Sequence, residues 1–279
     1  MSGNLDTSRL SNLFSRSGFH FSMKFQRGES AAFFADSENR DCLLEERCQW
    51  LNATPTLHAA LLPEGAPLLE ESIRMAEQWN SQLKLPRNKN DPYDNLLRLS
   101  RLWEPDFLLL KPTEDAMPRL VGGCVCFPSS WALERKVGES IDFIHATVPG
   151  LNESIGAKIR HFLNRLRPGS AWLRANWGLS RSPELNQHPD RRLPRLTADT
   201  PIEEIWLRVE RQALTALPES GGVLFGIRIE TTPLRDLKAH AEAAQGLARD
   251  LRSMPLPMAR YKNIAAVRER IINWLTASI

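Results

Sequence analysis

The chain has 279 residues, 42% of them hydrophobic and 25% charged. These are the fractions of an ordinary globular protein, and they exclude disordered, collagen-like and coiled-coil classes. Its 36 basic and 33 acidic residues leave a net charge of +3, too dispersed for a phosphate-binding track, so no nucleic-acid partner is expected. No run approaches the roughly 18 apolar residues of a membrane helix, and the opening MSGNLDTSRLSNLF lacks a signal peptide's apolar centre. No membrane association is expected, and the cytoplasm is the expected compartment.

Residues 1–17 are polar and Ser-rich and are expected to be disordered, with 18–279 forming one domain. The alternation GFHFSM over 18–23 predicts an early strand. Residues 41–51 and 67–80 read as helices, the second with Pro67 in its first turn. A polar loop then leads to a short helix around Asn95 to Trp103. Two apolar runs, Phe107 to Leu110 and Leu120 to Phe127, suit buried strands. Ile155, Ile159, Phe162, Leu163 and Leu166 mark an amphipathic helix that ends at Pro168-Gly169. The basic stretch from Arg181 to Arg195 reads as a solvated loop.

Three strands are expected at 171–180, 205–212 and 222–230, then a helix from Thr232-Pro233 to Leu251 and a last one over Ile264 to Leu275. Five or six strands with short Gly-containing links suggest antiparallel pairing. The predicted fold class is α+β, with helices on one face of an antiparallel sheet and a helical N-terminal extension.

The late strands carry a polar stripe. With a side-chain period of two, Arg174 and Asn176 share a face with Trp172. Arg208, Glu210 and Gln212 share a face opposite Leu207 and Val209, and Arg228 and Glu230 oppose Phe225, Ile227 and Ile229. Such a stripe is either the wet face of a sheet laced by cross-strand ion pairs or the lining of a polar site.

Cys42, Cys48, Cys124 and Cys126 match no zinc, iron–sulfur or covalent-haem spacing. In VGGCVCF, Cys124 and Cys126 read as small core side chains. There is no dinucleotide fingerprint, Walker A loop, H-E-x-x-H or G-x-S-x-G. Among six histidines, His145 ends the apolar run Ile141 to Ile144 before the turn Val148-Pro149-Gly150, while His161 lies toward the polar side of its helix.

Several segments in order then give the chain a likeness. Val125-Cys-Phe-Pro-Ser-Ser-Trp131, Glu134 to Gly138, Ile144-His-Ala-Thr-Val-Pro-Gly150, Leu173-Arg-Ala-Asn-Trp177, Leu207 to Gln212, Leu217-Pro218, Phe225-Gly-Ile-Arg228 and Tyr261-Lys262 carry it. Over roughly residues 18 to 262 the sequence resembles the haem-dependent oxidative N-demethylase α-subunit-like family, whose scaffold is PAS-type. One departure is Ala146-Thr147, where that pattern leads one to expect a proline before Val148-Pro149.

The resemblance implies a PAS-like haem domain that uses oxygen to remove a methyl group from a small amine. It implies non-covalent haem b here. FMN, a 2Fe–2S centre and NADPH are expected on a separate reductase chain. In that reading His145 is the axial iron ligand, with Cys126 in reserve because thiolate suits oxygen cleavage. Arg174 and Arg208 would pair with haem propionates or polarise oxygen. Glu210 would accept a hydrogen bond from a substrate ammonium, Asn176 and Gln212 would orient it, and Arg228 would complete the pocket. The same scaffold also serves haem gas sensors, and a subunit that has lost haem would show the same stripe as plain surface.

Overall fold

The computed structural model describes residues 13–14, 17–113 and 117–277. Seven strands form one sheet among them: β1 (Gln26–Gly28), β2 (Ala59–Leu61), β3 (Asp106–Lys111), β4 (Arg119–Cys124), β5 (Ala171–Ser180), β6 (Trp206–Ala216) and β7 (Val223–Pro233). The order is β1-β5-β6-β7-β3-β4-β2, and every neighbouring pair is antiparallel. The α+β class is thus the observed one, with β1 and β2 as three-residue edges too short to leave a periodic signal.

Helices cover both faces of the sheet, not one as expected, because both faces carry apolar side chains. On one face Trp177, Leu179, Leu207 and Val209 pack against the C-terminal helices through Leu234, Leu247 and Ile271. Farther along that face, Phe107, Leu109 and Leu224 pack against the helices Arg40–Ala53, Ala66–Trp79 and Pro92–Leu102. There Phe34 stacks on Trp79 and Trp103 and lies over Gly226, where a Cβ would stand 2.6 Å from its ring. Only a glycine lets the Ser30–Phe34 helix come this close. On the opposite face Leu108, Leu110, Leu214 and Ile227 meet Ile155, Ile159 and Leu163. These last belong to a π turn (Asn152–Gly156) and the helix Ala157–Asn164.

The expected strand at 18–23 does not form. Phe19 and Phe21 pack on one core, and Phe21 and Met23 on another, but no neighbouring strand receives their backbone. The period of two came from burial alone. The expected helix to Leu251 is two, Leu234–Leu237 and Ala241–Ser253, because β7 runs on to Pro233 and the chain turns at His240. The last helix starts later, at Arg268, and the unexpected helix Leu256–Tyr261 precedes it. The loop after β5 is no solvated tether: Ser182, Asn186, Gln187 and His188 are buried in it. Gln187 Nε2 donates to Ser180 Oγ at 2.9 Å and to the Ser182 carbonyl at 3.2 Å. Most of the expected loose N-terminus lies outside the described residues, but Phe14 is buried edge-on against Trp177, 5.6 Å between ring centres.

No helix of the described residues is long and apolar enough to cross a membrane.

Candidate functional site

The face of the sheet that meets the Ala157–Asn164 helix does not close fully. A cavity of about 1900 Å³ opens between it and the segments 19–25, 141–163 and 258–263. The volume is that of a half-open void which also reaches round to Phe33, Arg211 and Arg228 on the other face, so the part over this face is smaller than the whole. One end is apolar, with Leu108, Leu110, Leu214, Phe225 and Ile227 from the sheet and Ile144 opposite.

The other end is the polar stripe. Register places Arg174 opposite Gln212, Asn176 opposite Glu210 and Gly178 opposite Arg208, so all five polar side chains project from one face. Glu210 accepts from Ser129 Oγ at 3.3 Å and from Gln212 Nε2 at 3.1 Å. Asn176 Oδ1 caps the Trp177 amide at 2.9 Å. Arg174 makes no hydrogen bond or ion pair among the described residues; its guanidinium lies 5.8 Å from the Phe25 ring centre. Burial pushes its pKa below the usual range, against the pull of Glu210.

His145 ends the short helix Ile141–His145, which Ser140 caps by accepting the Phe143 amide. Its imidazole makes no hydrogen bond among the described residues, and Nδ1 is buried without a partner. Burial, with the Arg174 charge beside it, pushes its pKa down to about 4. A neutral imidazole is the form that can ligate a metal, and a buried nitrogen without a partner costs stability. The residues present fit a haem: His145 would be the residue to hold its iron, and the apolar side chains of the sheet would line it.

The alternatives fit less well. Cys126 is fully buried and packs with Phe107 and Leu109 in the other apolar cluster. Burial and the 3.7 Å contact with Cys124 hold its thiol well above the usual range. His161 is exposed on the outer side of its helix.

Two expected site residues have other work. Arg208 lies on the stripe face but is 4% exposed, and most of its donors are taken up. Nε donates to Ser129 Oγ at 2.8 Å, Nη1 to the Glu184 carbonyl at 3.1 Å, and Nη2 to those of Phe127 and Leu185 at 2.8 and 2.6 Å. These bonds occupy Nε, Nη2 and one of the two hydrogens on Nη1, so most of the fork is spent on positioning Ser129, and through it Glu210. Burial pushes its pKa down to about 10. Arg228 touches the void from the other face, opposite Arg211. It pairs with the buried Glu104 and donates to the Phe33 and Ala35 carbonyls, tying the Ser30–Phe34 helix to β7.

Three groups join the site without a role assigned from sequence. Ser129 lies in the Phe127-Pro-Ser-Ser-Trp131 segment and bridges Arg208 to Glu210. Lys262 Nζ donates to the Trp177 carbonyl at 2.6 Å, and burial pushes its pKa down to about 8 although Glu210 pulls it up. Tyr261, also at the cavity, is pushed up by burial. The matching of short segments pointed at all three, but nothing in their spacing did. Glu134, His188 and Asp190 form a further group with ligand atoms within 4.8 Å of one another. Asp190, however, is paired with Arg135 at 2.6 Å.

Among the described residues the antiparallel sheet thus carries a large cavity, apolar at one end and polar at the other, with the His145 imidazole on its wall. Residues 64–272 match the family of haem-dependent oxidative N-demethylase, alpha subunit-like proteins, and the chain belongs to that family. The match begins later and ends later than the resemblance over 18–262 implied.

Proposed function

We propose that this chain is the haem-binding subunit of a cytoplasmic oxidoreductase that removes a methyl group from a small amine with oxygen. Electrons come from a separate NADPH-dependent protein carrying flavin and an iron–sulfur centre. The observation that carries this reading is the His145 imidazole, without a hydrogen bond among the described residues, on the same cavity as the Glu210 stripe. The strand order supports the PAS-type scaffold: counted from β3, the five central strands run 2-1-5-4-3, with the His145 helix on the connection between the second and third.

Haem, when bound, supplies oxygen activation. The chain's own residues supply the rest. Glu210 holds a substrate ammonium by a charge-assisted hydrogen bond, and Gln212 and Ser129 fix its carboxylate from either side. Arg174 offers a free fork to an anionic group such as a propionate. Lys262 Nζ, with its pKa near 8, holds a proton it can release or regain close to neutral pH. Phe21, Met23 and Phe25 keep water from the apolar end.

The test is reconstitution with haem, then NADPH, oxygen and candidate methylamines, with a flavin/iron–sulfur reductase. A Soret band and amine-dependent formaldehyde release are expected. A haem chain that binds oxygen reversibly but never consumes amine moves the reading to a sensor, and failure to bind haem ends it.

A further inference from the structure

Between Glu153 and Glu184 the chain contains no acidic residue, yet Lys158, Arg160, Arg165 and Arg167 lie in that stretch. All four are exposed, on the helix Ala157–Asn164 and the turn after it. None forms an ion pair among the described residues, whereas arginines elsewhere on the surface, such as Arg74, Arg87 and Arg181, are paired. Phe25 stacks on Phe162 of that helix, 4.3 Å between ring centres, and the exposed Lys24 precedes it.

The same helix turns Ile159 and Leu163 into the cavity wall, where they share an apolar cluster with Ile144, the neighbour of His145. Its outer face is therefore one helix thickness from the candidate haem pocket. Phe143, 57% exposed, lies on the His145 helix and follows Asp142, whose carboxyl feels the Arg160 charge. An exposed aromatic ring next to unpaired cations is the composition of a small electrostatically steered interface. A nucleic acid would be met by cations without the apolar anchor, and over a longer track.

We propose that this face, Lys158 to Arg167 with Phe143, docks the acidic surface of a one-electron-carrying protein. The proposal rests on the functional reading above for what is delivered, but the docking face stands on its own charges.

The test uses a plant-type ferredoxin as an acidic probe carrier and the full chain, with and without haem. Calorimetry at low salt should show binding that weakens as salt rises. Charge reversal at Lys158, Arg160, Arg165 and Arg167 to Glu should weaken it at least about tenfold, on the order of 1.4 kcal/mol, and Phe143→Ser should weaken it further. Reversal of the distant, exposed Lys84 and Lys89 should leave it unchanged. In the haem-loaded chain, reduction by the carrier should slow in parallel, while the extent of reduction by dithionite stays the same.

No binding by the unmodified chain overturns the proposal, as does equal loss from the Lys84/Lys89 variant or tighter binding to a short DNA duplex. If the chain takes up no haem, the functional reading fails while the haem-free binding arm still decides the docking face.

Discussion

Arg208 and Ser129 are joined by a 2.8 Å hydrogen bond that links a buried guanidinium on β6 to the loop after β4. The same hydroxyl donates to Glu210, so the carboxylate's position is set from a residue two places earlier on its own strand by way of another loop. Replacing the fork by a point charge breaks this arrangement. Arg208→Lys should lower stability by roughly 2–4 kcal/mol, because carbonyls of Phe127, Glu184 and Leu185 lose a shared donor. Urea unfolding checks it; a change within about 0.5 kcal/mol would show that Arg208 is not a clamp.

His145→Ala should abolish or strongly change the Soret band of the reconstituted chain. His161→Ala and Cys126→Ala should leave it, since one side chain faces solvent and the other lies in a different apolar cluster. A spectrum that follows Cys126 instead would transfer the ligand role to sulfur.

Glu210→Gln should keep the fold and haem uptake while lowering amine turnover roughly tenfold to a hundredfold, the value of about 1.5–3 kcal/mol for a hydrogen bond to a charged group. Turnover at the unmodified rate would make the stripe ordinary sheet lining.

Asp106 accepts from Arg47 at 2.5 Å and from the amides of Cys126 and Phe127 at 2.8 and 2.9 Å, all buried. Asp106→Leu leaves the buried Arg47 guanidinium without its counter-ion and should cost about 3–5 kcal/mol. Thermal unfolding reads it, and an unchanged midpoint would mean that the pair adds nothing.

Lys262 gives a pH signature. Its folded pKa of about 8 lies below the 10.5 of the free side chain, so between these values the unfolded chain binds more protons. Stability should therefore rise with pH across that window, by at most about 3 kcal/mol. Lys262→Met should flatten the rise in denaturant midpoints between pH 8 and 10. A slope unaltered by the substitution would place the titration elsewhere.

The strands were legible where burial was one-sided and long. The prediction of 171–180 matches β5 to the residue, and its alternation placed Arg174 and Asn176 on the cavity face. The stripe on β6 was legible for the same reason. What a side chain does after leaving its strand was not. Arg208 and Arg228 have the residue type of ligand-binding groups, but loops more than twenty residues away in sequence supply the carbonyls and carboxylate that occupy them. Edge strands of three residues carry too few alternations to be seen. Phe19 to Met23 alternate without a partner strand, which periodicity alone does not distinguish from one that has a partner.

The segment from Phe19 to Phe25 lies on the cavity as an irregular strap, and it precedes residue 64, where the shared family pattern begins. The proposed reacting groups lie within the matched range and the strap lies outside it. Glu210, Arg174 and His145 are built into the common sheet and its covering helix. Phe19, Phe21, Met23 and Phe25 pack on the cores but take part in no strand pairing. Relatives with the same stripe would then perform the same kind of chemistry on amines of different size. Swapping this short strap between them, with the rest left intact, should move substrate preference and leave the haem spectrum where it was.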